Sequence, residues 1–216
     1  MSDYAARRVM MVDTQVRPSD VTKFPIIAAM LAVPREAFLP EAQREAAYVG
    51  ENTPIAAGRV VLEARTLAKL LDALDIQPTE RVLDLGCGYG YSSAVIARLA
   101  GSVVSVEQEP ALAAAAAVNL AAQVGNAELV TGTIAAGAAA KGPYDVVILQ
   151  GGVETVPDAV LAQVRDGGRI AAVFMTGALG VAQVGYKAGG VVTWRYAFNA
   201  TAPVMPGFGA VRGFVL

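Results

Sequence analysis

Residues Arg81 to Tyr91, Arg-Val-Leu-Asp-Leu-Gly-Cys-Gly-Tyr-Gly-Tyr, constrain the fold more than any other stretch of the chain. Val82, Leu83 and Leu85 favour a buried strand. Gly86, Gly88 and Gly90 follow at alternate positions, and a helix-like segment begins after them. A strand that runs through glycines into a helix turns tightly at the carboxyl edge of a parallel sheet, the edge where such folds bind ligands. Glycine is needed because a side chain would obstruct either the turn or the approach of a ligand to the backbone. The helix N-terminus beyond it offers unpaired N–H groups and partial positive charge.

Two acids narrow the choice of ligand. Asp84 lies two residues before the first glycine, and Glu107 closes the next apolar run, Val103-Val104-Ser105-Val106. The gap from loop to Glu107 is the spacing at which an acid can accept hydrogen bonds from ribose hydroxyls. A nicotinamide dinucleotide loop would want its third glycine at position 91, which is Tyr, and would be repelled by Asp84 beside its pyrophosphate. S-adenosylmethionine has no phosphate and carries an ammonium and a sulfonium, which a carboxylate favours. The loop therefore reads as a methyl-donor site, and an oxidoreductase is the weaker alternative.

Composition excludes several other classes. With 55% hydrophobic and 17% charged residues the 216-residue chain is globular and long enough to bury a core. A net charge of −2 gives no reason to expect nucleic acid or an anionic membrane as partner. There is no histidine to serve as general base or metal ligand, and no metal site is expected. The single cysteine, Cys87, is expected to be a small loop side chain rather than a nucleophile. The N-terminal Met-Ser-Asp-Tyr-Ala-Ala-Arg-Arg lacks the apolar core of a signal peptide, and no run reaches membrane-spanning length, so a cytoplasmic protein is expected.

Residues 4–50 read as helical, with Asp20 or Thr22 capping Phe24–Ala32 and a short helix restarting at Pro34. Thr53–Gly58 reads as a surface turn, and Leu62–Leu74 as a helix with Leu67, Leu70, Leu71 and Leu74 on one face. From Arg81 strands and helices alternate. The expected strands are Val82–Leu85, Val103–Val106, Glu128–Thr131, Val146–Leu149 and Arg169–Phe174. The expected helices are Ser92–Ala100, Ala111–Val124, a short one near Ala135–Ala140, and Pro157–Val164. Such alternation means a mostly parallel sheet. Gly189-Gly190, between Ala182–Tyr186 and Val191–Phe198, suggests an edge hairpin, and Val211–Leu216 is a further strand candidate. The fold class is α/β: a three-layer, Rossmann-like sheet with a helical N-terminal extension, divided as 1–60 (acceptor-side cover) and 61–216 (donor-binding domain).

Taken together, the motifs resemble those of the protein-L-isoaspartate O-methyltransferases. Ala29–Pro40, Ala-Met-Leu-Ala-Val-Pro-Arg-Glu-Ala-Phe-Leu-Pro, is similar to that family's N-terminal signature, as are Ala47-Tyr48 and Thr53-Pro54-Ile55. Val82–Tyr91 resembles its donor loop, with Asp84 where the family usually has glutamate. Ser105-Val106-Glu107, Pro143-Tyr144-Asp145 and Asp166-Gly167-Gly168-Arg169 match further strand boundaries. The resemblance implies a seven-stranded methyltransferase sheet with an antiparallel C-terminal edge. It also implies S-adenosylmethionine as donor, S-adenosylhomocysteine as product, and a protein or peptide carboxylate as acceptor. Donor contacts would fall on Asp84, Gly86, Cys87, Gly88, Tyr89, Gly90, Tyr91, Glu107, Gln108, Thr133 and Gln150, and the acceptor pocket on Thr53, Ile55, Val61 and Leu62.

Three segments depart from the family pattern. Val60-Val61-Leu62-Glu63-Ala64 stands where the family has Thr-Ile-Ser-Gln-Pro, so Leu62 replaces the serine that helps hold the acceptor carboxylate, and no catalytic residue can be named. Glu63 adds a negative charge beside that pocket. Gly132-Thr133-Ile134 replaces Gly-Asp-Gly, and Gln150-Gly151-Gly152 replaces Thr-Ala-Ala. The alternative is a donor-binding homologue with a different acceptor or no repair activity. Carboxylate methylation remains feasible without histidine, because the acceptor is already ionised and in-line transfer needs alignment more than a base. The Leu149–Gly152 sequence argues against adenine-amino methyltransferases. Trp194 is expected to pack an edge strand, Asp145 to cap the start of a strand, and Arg7, Arg8 and Arg17 to be solvated charges. Tyr89 and Tyr91 could each cover the donor or pack the turn.

Overall fold

The computed structural model describes residues 3–210. Its centre is a seven-stranded sheet made of β3 (Arg81–Leu85), β4 (Ser102–Glu107), β5 (Ala127–Thr131), β6 (Tyr144–Val153), β7 (Val164–Thr176), β8 (Leu179–Ala188) and β9 (Val191–Asn199). The spatial order is β5-β4-β3-β6-β7-β8-β9; β3 to β7 run parallel, and β8 and β9 antiparallel. The chain leaves β3 on one side for β4 and returns on the other for β6, so the strand order reverses at β3 and opens a crevice at its carboxyl end.

Period-two alternation builds the layers. Val82, Val103, Val146, Ile148, Ala171 and Val173 face the N-terminal helices, whereas Leu83, Leu85, Val104, Val106, Val147 and Leu149 face the opposite layer with Val160 and Phe208. Strands buried on both faces read as continuous apolar runs, which is why the sequence located them. The helices α1 (Tyr4–Met11), α2 (Phe24–Ala32), α3 (Ala64–Leu74) and α4 (Tyr91–Ile96) share the first core with the sheet. The remaining α-helices among the described residues are α5 (Pro110–Gln123) and α6 (Asp158–Leu161). Gly189 and Gly190 turn the β8–β9 hairpin with φ of +58° and +81°, the left-handed pair a two-residue type I′ turn needs.

Several boundaries differ from expectation. The segment Thr53–Gly58 is not an isolated turn: β1 (Thr53–Ala56) pairs antiparallel with β2 (Arg59–Val61), with Gly58 in the left-handed region between them. Helix α3 starts at Ala64, leaving Leu62 outside it, because Glu63 is the N-cap and its N–H donates to Asn52 Oδ1. Helix α2 begins after Lys23 with Pro25 in its first turn; neither Asp20 nor Thr22 caps it. The helix expected at Ser92–Ala100 ends at Ile96, and the one expected at Pro157–Val164 ends at Leu161. The short helix near Ala135–Ala140 is two 3₁₀ turns, Ile134–Ala136 and Ala139–Lys141. Strands β6 and β7 extend beyond their apolar centres with register shifts, one of which falls between Ile148 and Gly152. Val211–Leu216 lies outside the described residues.

Asp145 does cap a strand start, accepting from Arg81 N–H, and Trp194 packs edge-on against Phe174 at 4.7 Å on the edge strand. Arg8 is not a solvated charge: half-buried, it donates to Leu31 O, Tyr48 Oη and Glu36, tying α1 to the turns after α2. Among the described residues no helix is long and apolar enough to cross a membrane.

Candidate functional site

The carboxyl ends of β3, β4 and β6 bring most of the expected donor residues together. Gly86, Gly88 and Gly90 have φ of +81°, +59° and +95°, so all three occupy the left-handed region that L side chains avoid. The loop they form carries the chain from β3 into α4, and Cys87 is buried within it. Burial pushes the Cys87 thiol well above its usual range, and the carboxylates of Asp84 and Glu107 push it the same way.

Asp84 points into the N-terminal layer and is fully buried. Its Oδ2 accepts from Ser92 Oγ and Ser93 Oγ, both at 2.6 Å, and its Oδ1 accepts from Gln150 Nε2 at 2.7 Å. Ser105 Oγ in turn donates to Ser93 Oγ. Burial raises the Asp84 pKa, while the three hydrogen bonds pull it down. The network ties β3, β4, β6 and the first turn of α4 together beneath the glycine loop. Gln150 reaches it by the alternation of β6, which puts residues 146, 148 and 150 on the face that Asp84 also points from.

Glu107, at the end of β4, is also fully buried. Gly88 N–H donates to its Oε2 at 2.8 Å, and the N–H groups of Gln108 and Glu109 donate to its Oε1 at 2.9 and 3.1 Å. The remaining acceptor directions are taken by Arg59 of β2, whose Nη1 and Nη2 each lie 2.7 Å from one carboxylate oxygen. This two-pronged pair is 1% and 0% exposed. Sequence reasoning missed Arg59. The available signal was a lone cation beside the apolar Val60-Val61-Leu62, which a buried strand tolerates only with a partner.

The rest of the loop is covered as closely. A methyl group on Gly88 would stand 2.6 Å from Ile55 Cδ1, and one on Gly86 would stand 3.1 Å from Met205 Sδ and 3.2 Å from Arg59 Nη2. Met205 belongs to a strap, residues 201–208, that crosses the end of β6. Pro203 O accepts from Gly152 N–H and Gly152 O accepts from Met205 N–H, both at 2.9 Å. This accounts for Gly151-Gly152 in place of the family's bulkier residues: methyl groups there would lie 2.4 Å from Met205 Cγ and from Ala202 O, respectively. The strap also meets the β1–β2 hairpin, where Asn52 Nδ2 donates to Thr201 O.

The expected acceptor residues sit on the hairpin and beyond it. Thr53 pairs with Val61 across it, both are buried, and Ile55 is half-buried. Leu62 is buried, and its carbonyl accepts from the buried Arg35, which also donates to Ala47 O. Tyr91 turns away from the loop and packs its ring against Arg35 at 4.8 Å and Phe38 at 5.9 Å. Tyr89 is half-buried and holds Asn119 through its carbonyl, Gln108 contributes its N–H to Glu107, and Thr133 is exposed. The charge of Glu63 is directed to its own helix, where the carboxylate accepts from Thr66 Oγ1 and lies 3.7 Å from Arg65.

Similarity to known proteins fits this geometry. The profile of the protein-L-isoaspartate (D-aspartate) O-methyltransferase family matches residues 8–193. The chain belongs to that family. A Rhodopseudomonas palustris (strain HaA2) protein-L-isoaspartate O-methyltransferase 1 is 38% identical over 170 residues, spanning 78% of this chain and 69% of the relative. The Methylorubrum extorquens (strain PA1) protein-L-isoaspartate O-methyltransferase is 36% identical over 168 residues, spanning 78% and 74%. A solved protein-L-isoaspartate O-methyltransferase superposes with a TM-score of 0.80 at 22% identity, covering 95% of this chain and 67% of the other. A Plasmodium falciparum chain of the same type, in complex with S-adenosyl-L-homocysteine, gives 0.76 at 14% identity over 94% and 98%. At those identities the structural likeness shows the fold. The family is S-adenosylmethionine-dependent, and the relatives favour it over the reading of a homologue with another acceptor.

In this conformation the Glu107 carboxylate is closed to the ribose hydroxyls of S-adenosylmethionine. The loop and Glu107 are the groups a donor would need, but every acceptor direction of Glu107 is taken within the chain. The cavity bounded by Leu62, Gly86, Cys87, Tyr91, Ser92 and Gln150 is about 10 Å³, room for about one water. A roomier hollow of about 490 Å³, lined by Lys23, Ile26, Leu71, Pro78 and Leu99, lies by the amino ends of β3 and β4, the edge that does not bind ligands in such sheets. Among the described residues no group of three or more His, Cys, Asp or Glu could hold a metal ion.

Proposed function

We propose that this chain is an S-adenosylmethionine-dependent carboxyl methyltransferase whose acceptor is a protein or peptide carboxylate, the isoaspartyl carboxylate of its family. The observation that carries the reading is the family match over residues 8–193, which includes both the glycine loop and the acid at the end of β4. In this reading the Gly86–Gly90 loop, Glu107 and its neighbours form the donor side. The hairpin and residues up to Leu62 form the acceptor side, with 1–60 as its cover. Because Leu62 has no hydroxyl, the acceptor carboxylate would be held by backbone N–H groups of this segment. A cytoplasmic location, with neither nucleic acid nor membrane as partner, belongs to the same proposal.

The test is methyl transfer from isotopically labelled S-adenosylmethionine to an isoaspartyl peptide, read as base-labile methyl ester, with the aspartyl peptide as control. Label in the isoaspartyl peptide alone is the expected result. Donor binding without label in either peptide would refute the acceptor assignment.

A further inference from the structure

We propose that Arg59 is an internal latch: its guanidinium occupies the Glu107 carboxylate and, with the hairpin and strap it anchors, keeps the donor site shut until both segments move aside. The inference rests on the donor reading given above and adds a control element to that site.

The geometry is specific. A solvent-facing arginine loses little by changing partners, whereas Arg59 is buried, two-pronged, and attached to the one carboxylate placed to receive ribose hydroxyls. Glu107 accepts five N–H bonds already. A ribose could replace the two from Arg59 but not the three from the backbone. Ile55 seals Gly88 on the hairpin side, and Met205 seals Gly86 on the strap side. The two covers touch through Asn52 and Thr201 and through Gly58, whose added methyl group would meet Val204 O at 3.0 Å. They should therefore open together. A ligand that binds only the open form has its apparent affinity reduced by the open fraction, so removing the latch should tighten binding.

The experiment is calorimetric titration of the full chain with S-adenosylhomocysteine, comparing wild type with Arg59→Gln, which keeps one N–H donor for Glu107. Hydrogen exchange of the wild type with and without the ligand runs in parallel. The expected result is at least tenfold tighter binding by Arg59→Gln. In the wild type, amides of residues 53–61 and 201–208 should exchange faster in the complex than in the free protein. Equal or weaker binding by a folded Arg59→Gln, while the wild type binds, overturns the latch and leaves the donor reading standing. Failure of both folded proteins to bind overturns the donor reading and the latch with it. If Arg59→Gln does not fold, exchange decides: slower or unchanged exchange of both segments in the wild-type complex overturns the latch.

Discussion

Replacing Gly152 by alanine tests how tightly the strap is fitted. The backbone at this position is not left-handed, so alanine suits it conformationally and should gain about 0.4–1 kcal/mol by restricting the unfolded chain. Against that gain, the new methyl group would lie 2.4 Å from Ala202 O, 2.8 Å from Met175 Cγ and 3.1 Å from Pro203 O. Two of those atoms are backbone and cannot rotate away. Lifting the strap entirely would sacrifice four backbone hydrogen bonds, two with Gly152 and one each with Glu154 and Thr155, about 0.5–1.5 kcal/mol each. It would also expose Met205 and Phe208, about 1.5–3 kcal/mol each. Compression is cheaper at about 1–3 kcal/mol, so a net loss of about 1–2 kcal/mol is expected. For a chain of this size that lowers Tm by about 2–8 °C. Gly125→Ala is the control, since nothing lies within 4 Å of the methyl group it would add. Reversible thermal and urea unfolding of both variants decides the matter. If Gly152→Ala is as stable as Gly125→Ala, the strap is not seated as described.

Other consequences follow from the same contacts. Arg59→Ala leaves Glu107 buried with three backbone donors, so it should cost about 3 kcal/mol, the lower end for breaking a buried pair, measured by urea unfolding; a loss under 1 kcal/mol would mean that water already shares the site. Burial raises the Glu80 pKa, but hydrogen bonds from Arg169 and Gln77 N–H outweigh it, so the net shift is downward. A depressed carboxyl stabilises the fold above its unfolded pKa of about 4.3 and loses that contribution as pH falls through the folded value. Glu80→Gln should therefore lose about 1–2 kcal/mol at pH 7 and show a flatter decline in stability below about pH 5; an unchanged acid limb would contradict the pairing. Cys87, buried and with its thiol pushed up, should resist iodoacetamide at pH 8 until the protein unfolds. Complete alkylation of the native protein within minutes would show that the loop opens freely.

The sheet could be read from sequence because strands buried on both faces leave unbroken apolar runs, and the loop because only glycine fits its three left-handed positions. Glu107 could be placed because its distance from the loop is set by one crossover. What encloses these groups could not be read. Arg59 meets Glu107 across 48 positions of sequence, and Met205 reaches Gly86 and Gly151 from the far end of the chain. No local periodicity encodes such contacts. Gly151-Gly152 departs from the family motif because it is the seat of the strap. Apolar spacing that runs through Leu62 predicts a helix there, but the cap at Glu63 starts the helix two residues later.

A crystal structure of the chain with S-adenosylhomocysteine would test the central claim, that the methyl donor and Arg59 compete for one carboxylate. The account predicts ribose hydroxyls on Glu107, the Arg59 guanidinium displaced, and Ile55 and Met205 withdrawn from the glycine loop. Ligand bound with the Arg59–Glu107 pair still closed would contradict it.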